Sequence, residues 1–172
     1  DTSRAVAQKS SIPALEGLLI HADQQLTISG YNMQTGIRTN VFANVVEGGD
    51  IVLNARLFGD IIRRMPDDMI TFTADEKMMV HVSCGDADFD ILGLSAADYP
   101  ELPEVEDEYA VSMKQSVLRR MIEEVAFAVS TNESRPVHTG ALFEIENMCL
   151  NMVAVDGFRL AFRREKLEKL EG

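Results

Sequence analysis

Arg56 and Arg63 stand seven residues apart in a segment, residues 54–64, whose apolar positions Leu57, Ile61 and Ile62 follow helical spacing. Seven residues make two helical turns, so both guanidinium groups share one face. A second run, residues 113–122, carries Lys114, Arg119 and Arg120 and no acid. Clustered Lys and Arg side chains of this kind suit contact with phosphates more than the reading of base edges. An ordinary solvated helix face would look the same. The whole chain has a net charge of -12 and a pI near 4.6, which argues against a polyanionic partner unless the charge is unevenly placed. It is uneven: residues 95–108 hold six acids (Asp98, Glu101, Glu104, Glu106, Asp107, Glu108) and no base. A basic helix in so acidic a chain is therefore a candidate polyanion contact.

Other chemistry finds little support. No nucleophile-elbow, phosphate-loop, zinc-protease or C-x-x-C motif occurs. Glu123-Glu124 and Asp67-Asp68 are sequence neighbours, and neighbours on a helix do not face each other, so neither makes an acid–base pair. Cys84 and Cys149 sit singly in apolar, strand-like runs and read as buried thiols of a reducing cytosol. His21, His81 and His138 are scattered with no ligand spacing, so neither metal nor cofactor is expected. Asp156-Gly157-Phe158-Arg159-Leu160 reads as a turn between strands, Asp-Gly supplying the bend. No apolar run reaches membrane-spanning length. The opening residues Asp1-Thr2-Ser3-Arg4 lack both an initiator Met and a signal core, as expected for a start inside a longer protein.

The elements that must hold these residues are mostly strands. Residues 1–8 read as the end of a helix. Apolar or alternating runs at 18–21, 25–29 and 36–46 predict strands, and Gly48-Gly49 predicts a tight hairpin after them. Asn54 is placed to cap the helix that ends before Pro66. Strands are expected again at 69–73, 77–83 and 88–94. Residues 95–108, with Pro100, Pro103 and the acids, read as an extended linker. Ser112 and Gln115 suggest a capping box opening a helix to about Val129. Strand-like runs follow at 137–145, 149–155 and 159–163, and the charged residues 165–172 have no expected partner.

The chain also repeats. Residues 12–20 resemble residues 135–143, with Pro13 matching Pro136 and Gly17 matching Gly140 at the same spacing. One inserted residue later, Leu26-Thr27-Ile28 matches Leu150-Asn151-Met152, and Asn32 matches Asp156. So long a period implies tandem domains. The expected division is a first domain over residues 1–107 and the first half of a second over residues 108–172.

Three stretches carry a resemblance. They are Ser11-Ile12-Pro13-Ala14-Leu15, Ala55-Arg56-Leu57-Phe58, and Leu94-Ser95-Ala96-Ala97-Asp98-Tyr99-Pro100-Glu101-Leu102-Pro103. Asn132-Glu133-Ser134-Arg135-Pro136 and Val153-Ala154-Val155-Asp156-Gly157-Phe158-Arg159-Leu160-Ala161 extend it. In this order they resemble the first and second domains of bacterial DNA sliding clamps, the beta subunits of DNA polymerase III. The resemblance implies an α+β clamp fold of repeated domains, helices on an inner face and antiparallel sheets outside. It implies a non-catalytic, cytoplasmic processivity factor: a homodimeric ring around duplex DNA that tethers the polymerase and the clamp loader through short peptide motifs. Carried over by position, Lys9, Arg56, Arg63, Asn132 and Arg135 fall at DNA-facing positions. His138, Val155, Gly157, Phe158, Arg159 and Leu160 fall in a partner-peptide pocket whose remaining wall comes from later sequence. The family often has His where this chain has Phe158, and aliphatic residues where it has His138. The rival reading is a stand-alone interaction module that uses the turn at 156–160 without touching DNA.

Overall fold

The computed structural model describes residues 1–104 and 110–171, which form two compact units, Asp1–Pro103 and the chain from Glu104 onward. The first holds β1 (Gly17–Ala22), β2 (Leu26–Tyr31), β3 (Gly36–Val41), β4 (Gly49–Asn54), α1 (Ala55–Arg64), β5 (Thr71–Ala74), β6 (Met79–Cys84) and β7 (Ala87–Leu92). The second holds β8 (Ala110–Ser112), α2 (Gln115–Val125), β9 (Leu142–Glu146), β10 (Cys149–Val155), β11 (Leu160–Lys166) and β12 (Lys169–Glu171). All strand pairing is antiparallel, and the class is α+β.

In the first unit one sheet runs β3-β2-β1-β4 and another β5-β6-β7. Period-two alternation explains the division of faces. Leu18, Ile20, Ile51 and Leu53 turn to one side of the first sheet, where they meet Val80, Val82 and Ile91 of the second. Helix α1 completes this core with Ala55, Phe58 and Ile61, and Phe58 packs edge-on against Phe72. The buried stripe thus differs from the expected one: Leu57 is exposed, and Phe58 takes its place. Asn54 caps the helix as its position suggests, its Oδ1 accepting the Leu57 N–H at 2.9 Å.

Five expectations are corrected. Gly48-Gly49 does not make a hairpin: β3 and β4 lie at opposite edges of the sheet, β4 pairs with β1, and neither glycine has a positive φ. Residues 95–103, the first part of the expected linker, are not a linker. Leu94 bridges to Val52, Ala96–Asp98 form a short 3-10 turn, and Tyr99 and Leu102 pack on Ala14, Leu15, Tyr31 and Val52 over the outer face of the first sheet. Aromatic and aliphatic side chains beside the prolines supply enough apolar area to hold this segment down. The rest of the expected linker, with Glu106, Asp107, Glu108 and the proposed boundary at residue 107, lies outside the described residues. Ser112 does not cap α2 but belongs to β8, where it pairs with Lys169, and Lys114 takes the cap position without a side-chain bond. Pro136–Thr139 is a 3-10 turn and not the start of a strand. The same pairing of β8 with β12 gives the charged C-terminal residues a partner.

The second unit repeats the first. Its sheet runs β11-β10-β9, matching β3-β2-β1, and each first strand follows a 3-10 turn opened by proline, Pro13–Glu16 or Pro136–Thr139. Met121 and Val125 of α2 meet Leu150, Met152 and Ala154 of β10 in the core, with Ala128, Ala161 and Leu167.

Candidate nucleic-acid surface and docking turn

Helix α1 buries Ala55, Phe58 and Ile61, which leaves Arg56, Arg63 and Arg64 in solvent. The arginines are not equivalent. Arg63 Nη2 is bonded to Asp60 Oδ1 at 2.5 Å, one turn back, while Arg56 and Arg64 make no ion pair among the described residues. Arg64 was not singled out by spacing, although it stands beside Arg63. Lys9 is exposed in the loop that leads to the Pro13 turn. That loop is fixed by the bond from Ala7 N–H to the Leu15 carbonyl (2.9 Å) and from Ser10 N–H to Glu16 Oε1 (3.1 Å).

The cations of α2 are spent locally. Arg119 Nε meets Glu123 Oε1 at 2.9 Å, and Arg120 lies 3.8 Å from Glu124 and 3.7 Å from Glu165. Exposed pairs of this kind contribute little to stability, but each removes a net charge from the surface. In the loop after α2, Asn132 Oδ1 accepts from Ser134 N–H (3.0 Å) and Ser134 Oγ (2.7 Å). Arg135 is exposed beside it, and its carbonyl accepts the His138 N–H at 3.0 Å. Asn132 and Arg135 thus share one tight loop.

The turn at 156–160 is built around one carboxylate. Asp156 Oδ1 accepts the N–H groups of Phe158 and Arg159, each at 3.0 Å, and Oδ2 accepts Arg159 Nε at 2.7 Å. These bonds favour the ionised form. The Phe158 N–H foremost, with Arg159 behind it, holds the Asp156 carboxyl below the usual aspartate range. Gly157 has φ +92°, a conformation that side chains strain to adopt. The turn pushes Phe158 fully into solvent (100% exposed), leaves Leu160 65% exposed, and half-buries Val155. The Arg159 guanidinium lies 5.7 Å from the ring centre of Phe127, itself 58% exposed. Phe127 did not stand out in the sequence, since it continues the apolar run of α2. His138 is half-buried in the preceding 3-10 turn. An apolar surface ringed by a fixed Asp–Arg pair suits an extended peptide bearing one or two aliphatic side chains.

Elsewhere, Cys84 and Cys149 are unpaired thiols, the first buried. His21 meets Asp50 at 2.6 Å, and His81 meets Asp90 and Asp88. No group of metal-binding side chains converges among the described residues, and none of the described helices is long and apolar enough to cross a membrane.

Two copies of one α+β unit, carrying outward cations and an apolar turn, define a repeat-built binding scaffold. The family described as the DNA polymerase III beta subunit matches it twice, the N-terminal domain over residues 1–103 and the central domain over residues 112–172. The chain belongs to that family. It is 35% identical to the beta sliding clamp of Halalkalibacterium halodurans and 30% identical to that of Bacillus subtilis, over 97% and 98% of its own length. Among solved structures it is similar to the DNA polymerase sliding clamp from Bacillus subtilis, with a TM-score of 0.93, 30% identity, and coverage of 98% of this chain and 47% of that one. The beta subunit from Streptococcus pyogenes gives a TM-score of 0.89 and 31% identity over 99% of this chain and 47% of that one. The chain spans about half the length of the relatives it matches, 46% and 47% of the two curated proteins.

Proposed function

We propose that this chain is part of a non-catalytic processivity factor of bacterial DNA replication. In this reading the whole protein is a cytoplasmic homodimeric ring that encircles duplex DNA and tethers the polymerase. The observation that carries the reading is the tandem match of the two units, in order, to the N-terminal and central domains of one family. The chemistry agrees with it. A ring linked to DNA by topology needs only weak, sequence-blind contacts, and a few exposed arginines such as Arg56 and Arg64, without an ion pair among the described residues, supply that on a chain of net charge -12 without arresting movement. Lys9, Arg63, Asn132 and Arg135 are the other residues assigned to DNA. The proposed division is a first domain over residues 1–107 and the first half of a second over residues 108–172, and the gap between the two family matches, over 1–103 and 112–172, supports it.

The second surface is the turn at 156–160. Val155, Gly157, Phe158, Arg159 and Leu160, with His138, form one wall of the pocket proposed to take short peptide motifs of the polymerase and clamp loader. Burying one Leu-sized side chain there contributes roughly 1.5–3 kcal/mol, so single motifs bind weakly and exchange readily. A protein that only docked peptides would keep this turn and have no use for exposed arginines on α1. Full-length protein added to the replicative polymerase on a long primed template tests the reading: product length per binding event should rise at least tenfold. Unchanged product length, with peptide binding intact, would leave the docking module as the better description.

A further inference from the structure

Gly59 stands in the middle of α1, where glycine is the least favourable residue after proline. Its backbone does not call for glycine, since its φ is not among the positive ones. The buried core does not call for it either. The three atoms nearest to where a Cβ would stand all belong to the Arg63 guanidinium, Nη1 at 3.3 Å and Cζ and Nη2 at 3.8 Å. That guanidinium therefore lies back against the bare helix backbone one turn before it, and Gly59 leaves it the room.

Asp60 holds the same group, its Oδ1 accepting from Arg63 Nη2 at 2.5 Å. Asp60 has an arginine on each side, Arg56 four residues before it and Arg63 three after. The bond to Arg63 puts the acid nearer the helix N-terminus and the base in the last turn, the order that the helix dipole favours. Arg56 is left without an ion pair among the described residues. A contact that exists only in the free protein must be given up before Arg63 takes a phosphate, so it subtracts from binding. For an exposed pair the subtraction is about two- to fivefold in affinity.

We propose that Gly59 is a positioning residue for the DNA contact: it seats the Arg63 guanidinium beside Asp60, so that α1 meets phosphates through Arg56 first and through Arg63 only by exchanging carboxylate for phosphate. This rests on the DNA reading above and adds how the grip is kept weak. A ring that moves along DNA needs each contact to break readily, and a carboxylate already in place to take the cation back serves that. The glycine lowers the helical stability of α1, and with Asp60 it lowers the affinity for DNA.

The test is anisotropy of a labelled duplex with the full-length protein over a salt series, beside a denaturation midpoint for each variant. Gly59→Ala and Gly59→Met both improve helix propensity, so both should raise the midpoint. They differ in the room they take. An Ala Cβ asks Arg63 to give by a few tenths of an ångström, whereas Met fills the seat. Gly59→Met should therefore tighten DNA binding about two- to fivefold at low salt, and Gly59→Ala less than about twofold. Gly59→Leu, equally bulky, should behave as Gly59→Met does. In an Arg63→Ala background Gly59→Met should change nothing, and beside Asp60→Asn it should add little, because each change releases the same cation. Affinity unaltered by both bulky variants, or altered equally with and without Arg63, would overturn the proposal while leaving the DNA reading intact. Absence of wild-type binding at every salt concentration would instead remove the DNA reading, and this inference with it.

Discussion

The three arginines of α1 should differ in their effect on DNA binding, because among the described residues only Arg63 is tied to a carboxylate. Each phosphate neutralised by a cation contributes about 0.9 to the slope of log affinity against log salt. Arg56 and Arg64 are exposed without an ion pair among the described residues, so Arg56→Ala should flatten the slope by about 0.9 if the side chain meets a phosphate squarely. Between 50 and 200 mM salt that is about a 3.5-fold change in the affinity ratio. Arg63 is bonded to Asp60 at 2.5 Å, so its charge is partly cancelled before DNA arrives. Arg63→Ala should therefore cost less than Arg56→Ala, and Asp60→Asn should tighten binding and steepen the slope. The assay is fluorescence anisotropy of labelled duplex with the full-length protein, run as a salt series on two unrelated sequences. Equal losses for Arg56 and Arg63, together with no gain from Asp60→Asn, would refute the reasoning. So would any loss confined to one sequence, since phosphate contacts carry no base information.

At the docking turn, Asp156→Asn keeps the oxygen that binds the two N–H groups, as Asn32 does in the first unit, whereas Asp156→Ala loses it. Peptide affinity should survive the first change and fall in the second, and equal behaviour would count against the turn as the docking element. Because the Asp156 carboxyl is held low by the Phe158 N–H and Arg159, its contribution is full above the unfolded aspartate range and is lost only as pH falls through the depressed value. His81 gives the opposite dependence. Its Nδ1 lies 2.8 Å from Asp90 and its Nε2 3.3 Å from Asp88, which a neutral ring with one N–H cannot satisfy, and the Asp90 bond foremost raises its pKa above 6.5. Its contribution should be complete below that value and fade as pH rises through the raised one; a melting-temperature profile that His81→Gln leaves unaltered would contradict this. Met33 holds φ 70°, so Met33→Gly should stabilise the first unit by about 1 kcal/mol, and a lower denaturation midpoint would show the turn to be unstrained. Ser112→Ala should change stability by less than about 0.5 kcal/mol, since Ser112 caps nothing and is exposed on β8; a larger loss would mean that it does cap α2.

What could be read from the sequence followed from local physics. An apolar run marked β1, alternation marked β2 and β3, Asn54 announced its own helix, and matched prolines and glycines exposed the repeat. What could not be read depended on distant partners. Gly48-Gly49 looks like a hairpin because nothing local says that β4 crosses to the far edge beside β1. Residues 95–103 look like a linker because Tyr99 and Leu102 acquire their role from Ser29 and Gly36, which lie more than sixty residues earlier. Ser112 satisfies the spacing of a capping box, yet pairing with Lys169 draws it into a strand. At the candidate site, the turn at 156–160 was legible from Asp-Gly. The partition of arginines into paired and unpaired, and the approach of Arg159 to Phe127, needed side-chain positions.

The central claim is that the whole protein holds DNA by encircling it. Full-length protein loaded onto nicked circular DNA and passed through a sizing column in high salt should remain with the circle, because salt dissolves phosphate contacts but not a topological link. Cutting the circle once before the column should release it. Retention on linear DNA equal to that on the circle, or loss from both, would contradict the claim.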